Sequence, residues 1–363
     1  MFSSSMKDLF SGSKQVVGLD IGSSSLKLVD ILKTPNKGYL LNHFSQIPLP
    51  RGVIVDGVVV EQEQLTESIK ELFKHAKCKS KMIVTSLSGH SVVIKKATFP
   101  RVDEGELRDI ISDEAGKYLP FDNMDEVNFD FQDLGENEFN PNQLDVLLVA
   151  AKKNIIAGYT EAVKNAGLSV VIMDVDSFAL ETMYEENYDF EDDDVDVLIN
   201  IGASITNINV VRDGISIFTR DFALAGNAIT EAIGEKLGLT FEEAEQIKIN
   251  ETDGNGQAES EIKDSILTYA DPICSEIERS IDYFRSTNLR MGEIKHLLLS
   301  GGSTKIHGIA ADLSQRLNIE TEIINPFKKI NLNRKVLEPE YLESIAPIAT
   351  VGVGLALRRK GDK

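Results

Sequence analysis

Chemistry in this chain begins at Val16 to Asp30, VVGLDIGSSSLKLVD. One carboxylate, Asp20, precedes a turn of small residues, Gly22, Ser23, Ser24 and Ser25, and a cation, Lys27, follows it. Small residues let the backbone approach a ligand closely, and successive N–H groups in a turn form a concave anion site. The serine hydroxyls add donors. A carboxylate beside a phosphate cradle makes chemical sense when a cation lies between them, so a Mg-nucleotide is the guest this set points to. Read in isolation, the same residues also describe an ordinary hairpin with a serine-rich turn.

The layout recurs. Val197 to Val211, VLINIGASITNINVV, matches it 180 residues further on, with Asn200 opposite Asp20, Gly202 opposite Gly22 and Ser204 opposite Ser24. The sequels match as well: Lys37 to Leu41 aligns with Asp213 to Ile217, and a helical stretch follows each copy, at 64–76 and 226–237. A repeat of this length indicates duplicated domains rather than a solenoid. Two phosphate-facing hairpins at the head of two similar halves make a clamp.

Elements of the right kind surround these turns. The 363 residues suffice for two domains or more, and 42% hydrophobic with 26% charged residues is a globular composition. A net charge of −20 argues against a nucleic-acid partner and against nonspecific adhesion to an anionic leaflet. Two cysteines, Cys78 and Cys274, with no CxxC and no signal peptide, point to a reduced cytoplasmic setting. No run is expected to span a membrane. The most apolar one, Ile345 to Leu357, is interrupted by Pro347, Gly352 and Gly354 and reads as a buried helix.

In chain order, residues 1–15 read as a flexible polar tail. The first domain takes 16–90 and 167–186, with an amphipathic helix at 61–77 and a strand at 81–87. Residues 91–166 read as an inserted α+β subdomain ordered strand, helix, strand, strand, helix. Its first helix is capped by Asp103 with Glu106 three residues on, and Glu136 to Asn142 with the Pro100 to Gly105 joint suggest an exposed sheet and groove for docking. The second domain takes 187–363, with a helical part near 230–290. The acidic run 189–196 reads as a solvated loop and 250–257 as a polar loop.

Four segments together resemble the actin, Hsp70 and sugar kinase superfamily: DIGSSSLK, NIGASITNI, AEQIK at 244–248 and LLLSGGSTKIHG at 297–308. Within it, LFSGSKQVVGLDIGSSSLKLV, LPFDNMDEVNFDF, VVIMDVDSFAL and GLTFEEAEQIK resemble the PilM family of type IV pilus assembly proteins, relatives of the division protein FtsA. The resemblance implies two duplicated actin-like, ribonuclease H-like α/β domains around a nucleotide cleft, with a small α+β subdomain inserted in the first. It places ATP or ADP against Asp20, Gly22 to Ser25, Lys27, Gly202, Ala203, Ser204 and Thr206. Glu245 and Lys248 would lie at the ribose and adenine, and Gly301, Gly302 and Ser303 at the base and α-phosphate.

The same resemblance has Asp20 hold Mg2+ through water, with Asn200 as a second metal-facing group, and Asp174 orient the attacking water, Asp176 being its rival. The family's second motif usually opens on Asp. The amide of Asn200 cannot accept a proton, so weak or absent ATPase activity is expected. The implied role is a cytoplasmic adaptor of the inner-membrane pilus platform. It would bind the cytoplasmic N-terminal peptide of PilN, contact other platform proteins and a second copy of itself, and reach the membrane only through partners. An FtsA-like filament former and a small-molecule kinase are the rival readings.

Overall fold

A computed structural model of the protein describes residues 15–34, 38–137, 139–252, 260–288, 292–332 and 338–359. The expected tail, apart from Gln15, lies outside them. The first lobe opens with an antiparallel meander, β1 (Val16–Ile21), β2 (Ser25–Thr34) and β3 (Gly38–Pro48). β1 is buried at every position, as its near-continuous apolar run requires of a strand covered on both faces. A short hairpin follows, β4 (Ile54–Val55) and β5 (Val58–Val59), turning at Asp56-Gly57 with φ of 50° and 75°. Next come α1 (Gln62–His75), burying Leu65, Ile69, Leu72 and Phe73, and β6 (Met82–Leu87).

The chain then builds a separate three-stranded sheet from β7 (Val92–Pro100), β8 (Val127–Asn137) and β9 (Asn140–Lys152), with α2 (Glu104–Tyr118) on one face. Asp103 caps α2 as expected, accepting from the N–H groups of Gly105 and Glu106. This unit has its own core, including Phe99, Leu107, Ile111, Val146 and Leu148. The helix expected to close it, α3 (Lys153–Asn165), does not join that core. Its Tyr159, Ala162 and Val163 pack with Leu65, Ile69 and Phe73 of the first lobe. β10 (Ser169–Val175) then lies parallel to β6, and α4 (Asp176–Asn187) crosses to the second lobe.

The second lobe repeats the first. β11 (Val195–Ile201), β12 (Thr206–Arg212) and β13 (Ile215–Phe222) form the meander, followed by α5 (Gly226–Leu237), α6 (Phe241–Thr252), α7 (Ser260–Thr287) and β14 (Ile294–Ser300). α8 (Ile309–Leu317), β15 (Glu320–Ile323), β16 (Asn331–Leu332) and α9 (Pro339–Leu357) complete the described chain. The strand order β13-β12-β11-β14-β15 repeats β3-β2-β1-β6-β10, and β16 returns to pair with β3. α7 buries Ile266, Ala270, Ile273, Ile277, Ile281 and Phe284, the stripe its spacing predicts. These helices share one core with the second sheet rather than building their own. Residues 250–252 of the expected polar loop continue α6, and 253–257 lie outside the described residues.

α4 and α9 join the lobes through a core that draws on both sheets. A Cβ on Gly354 would lie 1.8 Å from the carbonyl oxygen of Ala179, and one on Gly18 2.4 Å from that of Gly352. The glycines expected to interrupt the last apolar run instead let it pack tightly. That helix is also longer than expected. Among the described residues Glu340–Leu357 is the one segment long and apolar enough to cross a membrane, and 72% of it is buried inside the fold. The acidic run is likewise better paired than a solvated loop: Asp189 pairs with Lys329, Asp193 with Arg212 and Asp194 with Lys295. Asp196 is buried in β11, accepting from the Tyr184 hydroxyl at 2.6 Å.

Candidate nucleotide cleft

The two hairpin turns, β1–β2 and β11–β12, meet across one cavity of about 360 Å³. Its lining brings together Asp20, Gly22, Ser23, Ser24, Ser25, Lys27, Asn200, Gly202, Ala203, Ser204, Glu245, Lys248, Gly301, Gly302 and Ser303, all expected at one site. Ser23 Oγ and Ser204 Oγ stand 2.8 Å apart, a direct hydrogen bond between the lobes.

Each turn closes on itself in the same way. The N–H of Gly22 donates to Ser25 O at 3.1 Å, and that of Gly202 to Ile205 O at 3.0 Å. These two glycine donors, expected to face phosphate, are therefore spent on the turns. The N–H groups of Ser23, Ser24, Ala203 and Ser204 have no protein acceptor among the described residues. The second turn is propped by the start of α5: Gly226 N–H donates to Gly202 O, Asn227 N–H to Ala203 O and Asn227 Nδ2 to Ser204 Oγ. Ser303 Oγ also donates to Gly202 O, at 3.0 Å. Gly301, at φ 92°, lies where a Cβ would come within 2.3 Å of Ile201 O, so only glycine fits.

Charge is distributed unevenly. Lys27 Nζ donates to Asp20 Oδ2 at 2.9 Å, both side chains being largely buried. Lys27 thus serves Asp20 first, where it was expected to face phosphate. Lys248 Nζ donates to Gly226 O and Thr230 Oγ1 and pairs with Glu245 at 2.7 Å. At the cross-strand positions matching Asp20 and Lys27, the second lobe has Asn200 and Asn207, joined by an amide hydrogen bond of 3.0 Å.

Two expected site residues lie elsewhere. Thr206 is fully buried with its hydroxyl donating to Leu224 O. Asp174 is buried behind the cleft, where Arg358 Nε donates to it at 2.6 Å and its Oδ1 accepts from Val175 N–H. β10 ends at Val175 and α4 begins at Asp176, so strand alternation no longer sets the direction there, and the residue two further on lines the cavity instead. That residue is Asp176, a lining residue that accepts from Ser86 Oγ. Burial, reinforced by the charge of Asp20, pushes its carboxyl up to about 7 against the pull of Ser86 and Ser88. Sequence reasoning missed the wall formed by Asp56 and Gly57. An Asp-Gly pair between short apolar runs is the hairpin signal that could have found it.

The donor set fits a Mg-nucleotide. Unbonded N–H groups and serine hydroxyls suit phosphate oxygens, and Ile249, Ile306 and Ile348 offer apolar wall. Among the described residues no group of three or more His, Cys, Asp or Glu is placed to ligate a metal directly.

Two lobes of matching strand order, each presenting the same hairpin to a shared cleft, define an actin-like ATPase fold. Ethanolamine utilization protein EutJ from Carboxydothermus hydrogenoformans shares it, with a TM-score of 0.56 and 15% identity over 94% of this chain and 88% of that one. So does MreB5 of Spiroplasma citri, solved bound to ADP, with a TM-score of 0.51 and 12% identity over 93% of this chain and 94% of that one. The chain belongs to the family of type IV pilus assembly protein PilM, whose model matches residues 18–360. A solved PilM-PilN type IV pilus biogenesis complex is 30% identical, covering 96% of this chain and 100% of that chain, with a TM-score of 0.82.

Proposed function

We propose that this protein is a cytoplasmic nucleotide-binding adaptor of the pilus assembly platform that grips the N-terminal peptide of PilN. The observation that best supports a nucleotide role is the meeting of both hairpin turns at one cavity through Ser23 and Ser204. The N–H groups of Ser23, Ser24, Ala203 and Ser204 would receive the phosphates. Asp20 would hold Mg2+ through water, with Asn200 opposite. Glu245 and Lys248 would lie at the ribose and adenine, and Gly301 to Ser303 at the base. Bound ATP would supply the phosphoanhydride and a bridge between lobes. Asp176 takes the water-orienting role expected of Asp174, because it faces the cavity and its carboxyl titrates near neutral pH. Turnover would still be weak, since Asn200 can neither accept a proton nor bind metal-water as an anion does.

The PilN peptide would lie extended at the joint between the first lobe and the inserted sheet. The β4–β5 hairpin stands there, tied by Gly57 O to Ser91 Oγ and to the Tyr159 hydroxyl. On it Val55 and Val58, and just after it Val60, are 46%, 41% and 56% exposed, apolar surface that a peptide would cover. Capture of a synthetic N-terminal PilN peptide, with and without Mg-ATP, tests this. Val58→Glu should reduce capture at least tenfold while leaving the melting temperature unchanged; capture indifferent to that charge would place the peptide elsewhere.

A further inference from the structure

We propose that Asn227, which does not line the cleft, is a positioning residue for the phosphates: its side-chain amide directs the hydrogen bonds that join the lobes, so that one hydroxyl proton is left for a phosphate oxygen. This role depends on the cleft holding a nucleotide, as proposed. Asn227 lies in the first turn of α5. Its Nδ2 donates to Ser204 Oγ at 3.0 Å, and Ser204 Oγ stands 2.8 Å from Ser23 Oγ in the other lobe. Among the described residues no further protein group accepts from either hydroxyl. A serine hydroxyl carries one proton and two lone pairs, whereas the NH2 of asparagine only donates. With Nδ2 facing it, Ser204 keeps its proton. The two hydroxyls then hold two protons and need one for the bond between them. The other is free for the cavity, which both serines line. An acceptor at position 227 would reverse this. It would take the proton of Ser204, Ser204 would take that of Ser23, and only lone pairs would face the phosphates.

Helix chemistry does not account for the residue. Asparagine is a weak helix former, and at a helix start it serves by accepting a backbone N–H with its side-chain oxygen. Among the described residues Asn227 makes no such bond. Its backbone N–H already props the second turn, donating to Ala203 O at 2.7 Å, as that of Gly226 does to Gly202 O. Any residue but proline would supply that prop. The side chain is therefore not needed for the turn, and its bond is to the serine that bridges the lobes. The first lobe is built differently. Its matching serine, Ser24, is exposed, and the N–H of Leu49 holds its carbonyl oxygen at 2.9 Å. The directed hydroxyl thus belongs to the second turn alone, the one without a carboxylate at its head.

Titration of Mg-ATP into the full chain and its variants tests this. Asn227→Asp keeps the shape of the side chain and turns the donor into an acceptor. It should weaken binding about thirtyfold, the scale of a lost hydrogen bond to a charged group, at an unchanged melting temperature of the free protein. Ser204→Ala alone should weaken binding only about threefold, because Ser23 keeps a proton for the phosphate. Asn227→Asp combined with Ser204→Ala should bind within about fivefold of wild type, since Ser23 is released and only the added charge remains. Recovery through a second loss is not what a merely structural prop would show. Asn227→Ala runs the same cycle at smaller scale, and carries the test should Asn227→Asp fail to fold: a loss of about threefold that vanishes where Ser204 is already alanine. No loss from either change at position 227, or losses just as large without the Ser204 hydroxyl, would overturn the proposal and leave the nucleotide reading standing. Wild-type protein that takes up no Mg-ATP would remove both.

Discussion

The β1–β2 and β11–β12 hairpins are copies in backbone, but the first is charged where the second is neutral. In both, a glycine N–H closes the turn on the carbonyl three residues later, and the residue before the isoleucine faces a partner across the strand pair. In the first hairpin that pair is an ion pair, Asp20–Lys27; in the second it is two amides, Asn200–Asn207. The two turns therefore share a cradle, but only the first has a carboxylate at this cross-strand position. On the proposed function, a cleft built this way would hold a charged ligand better than it would convert one.

The largest effect expected from breaking this asymmetry is on binding. Asp20→Ala should weaken Mg-ATP at least a hundredfold in equilibrium dialysis, whereas Asn200→Ala should cost tenfold or less; equal losses would erase the distinction between the lobes. Next is Asp176, whose carboxyl is crowded by Asp20. Its folded value of about 7 lies above the unfolded 3.8. The protonated form thus favours folding: its contribution is complete below about pH 4 and is lost as pH rises through 7. At roughly 1.4 kcal/mol per unit, and discounting for a half-buried side chain, Asp176→Asn should gain about 2 kcal/mol at pH 8 and nothing at pH 4. Urea titrations at the two pH values would read this, and a gain at pH 4 would contradict the assigned cause.

Asn200→Asp sharpens the comparison in the other direction. Restoring a carboxylate to the second lobe should raise steady-state ATP hydrolysis about tenfold, a modest share of what acid–base groups contribute; an unchanged rate would mean the amide is not what limits turnover. The smallest effect belongs to the bridge between the turns. Ser23→Ala and Ser204→Ala should each cost about 1 kcal/mol of stability, and the double variant no more than either alone. Additive losses would show that the two hydroxyls act separately.

Much of this arrangement was legible in the sequence because it depends on local pattern. The Gly22 and Gly202 turns, the Asp103 cap and the α7 stripe each announce themselves within a few residues, and the 180-residue repeat fixed the doubled strand order. What was not legible depends on direction and on distant partners. Asp174 and Asp176 differ by two positions, and only the strand-to-helix junction and Arg358, 184 residues away, decide which faces the cleft. Lys27 looked free until its cross-strand position opposite Asp20 was known. α3 carried no mark of which core it joins, because an amphipathic helix packs equally well on either neighbouring sheet.

Calorimetric titration of Mg-ATP into the intact chain tests most directly whether two hairpins share one ligand. One nucleotide per chain, with the heat abolished by Asp20→Ala, is the predicted result. Two nucleotides per chain, or none, would contradict the shared cleft.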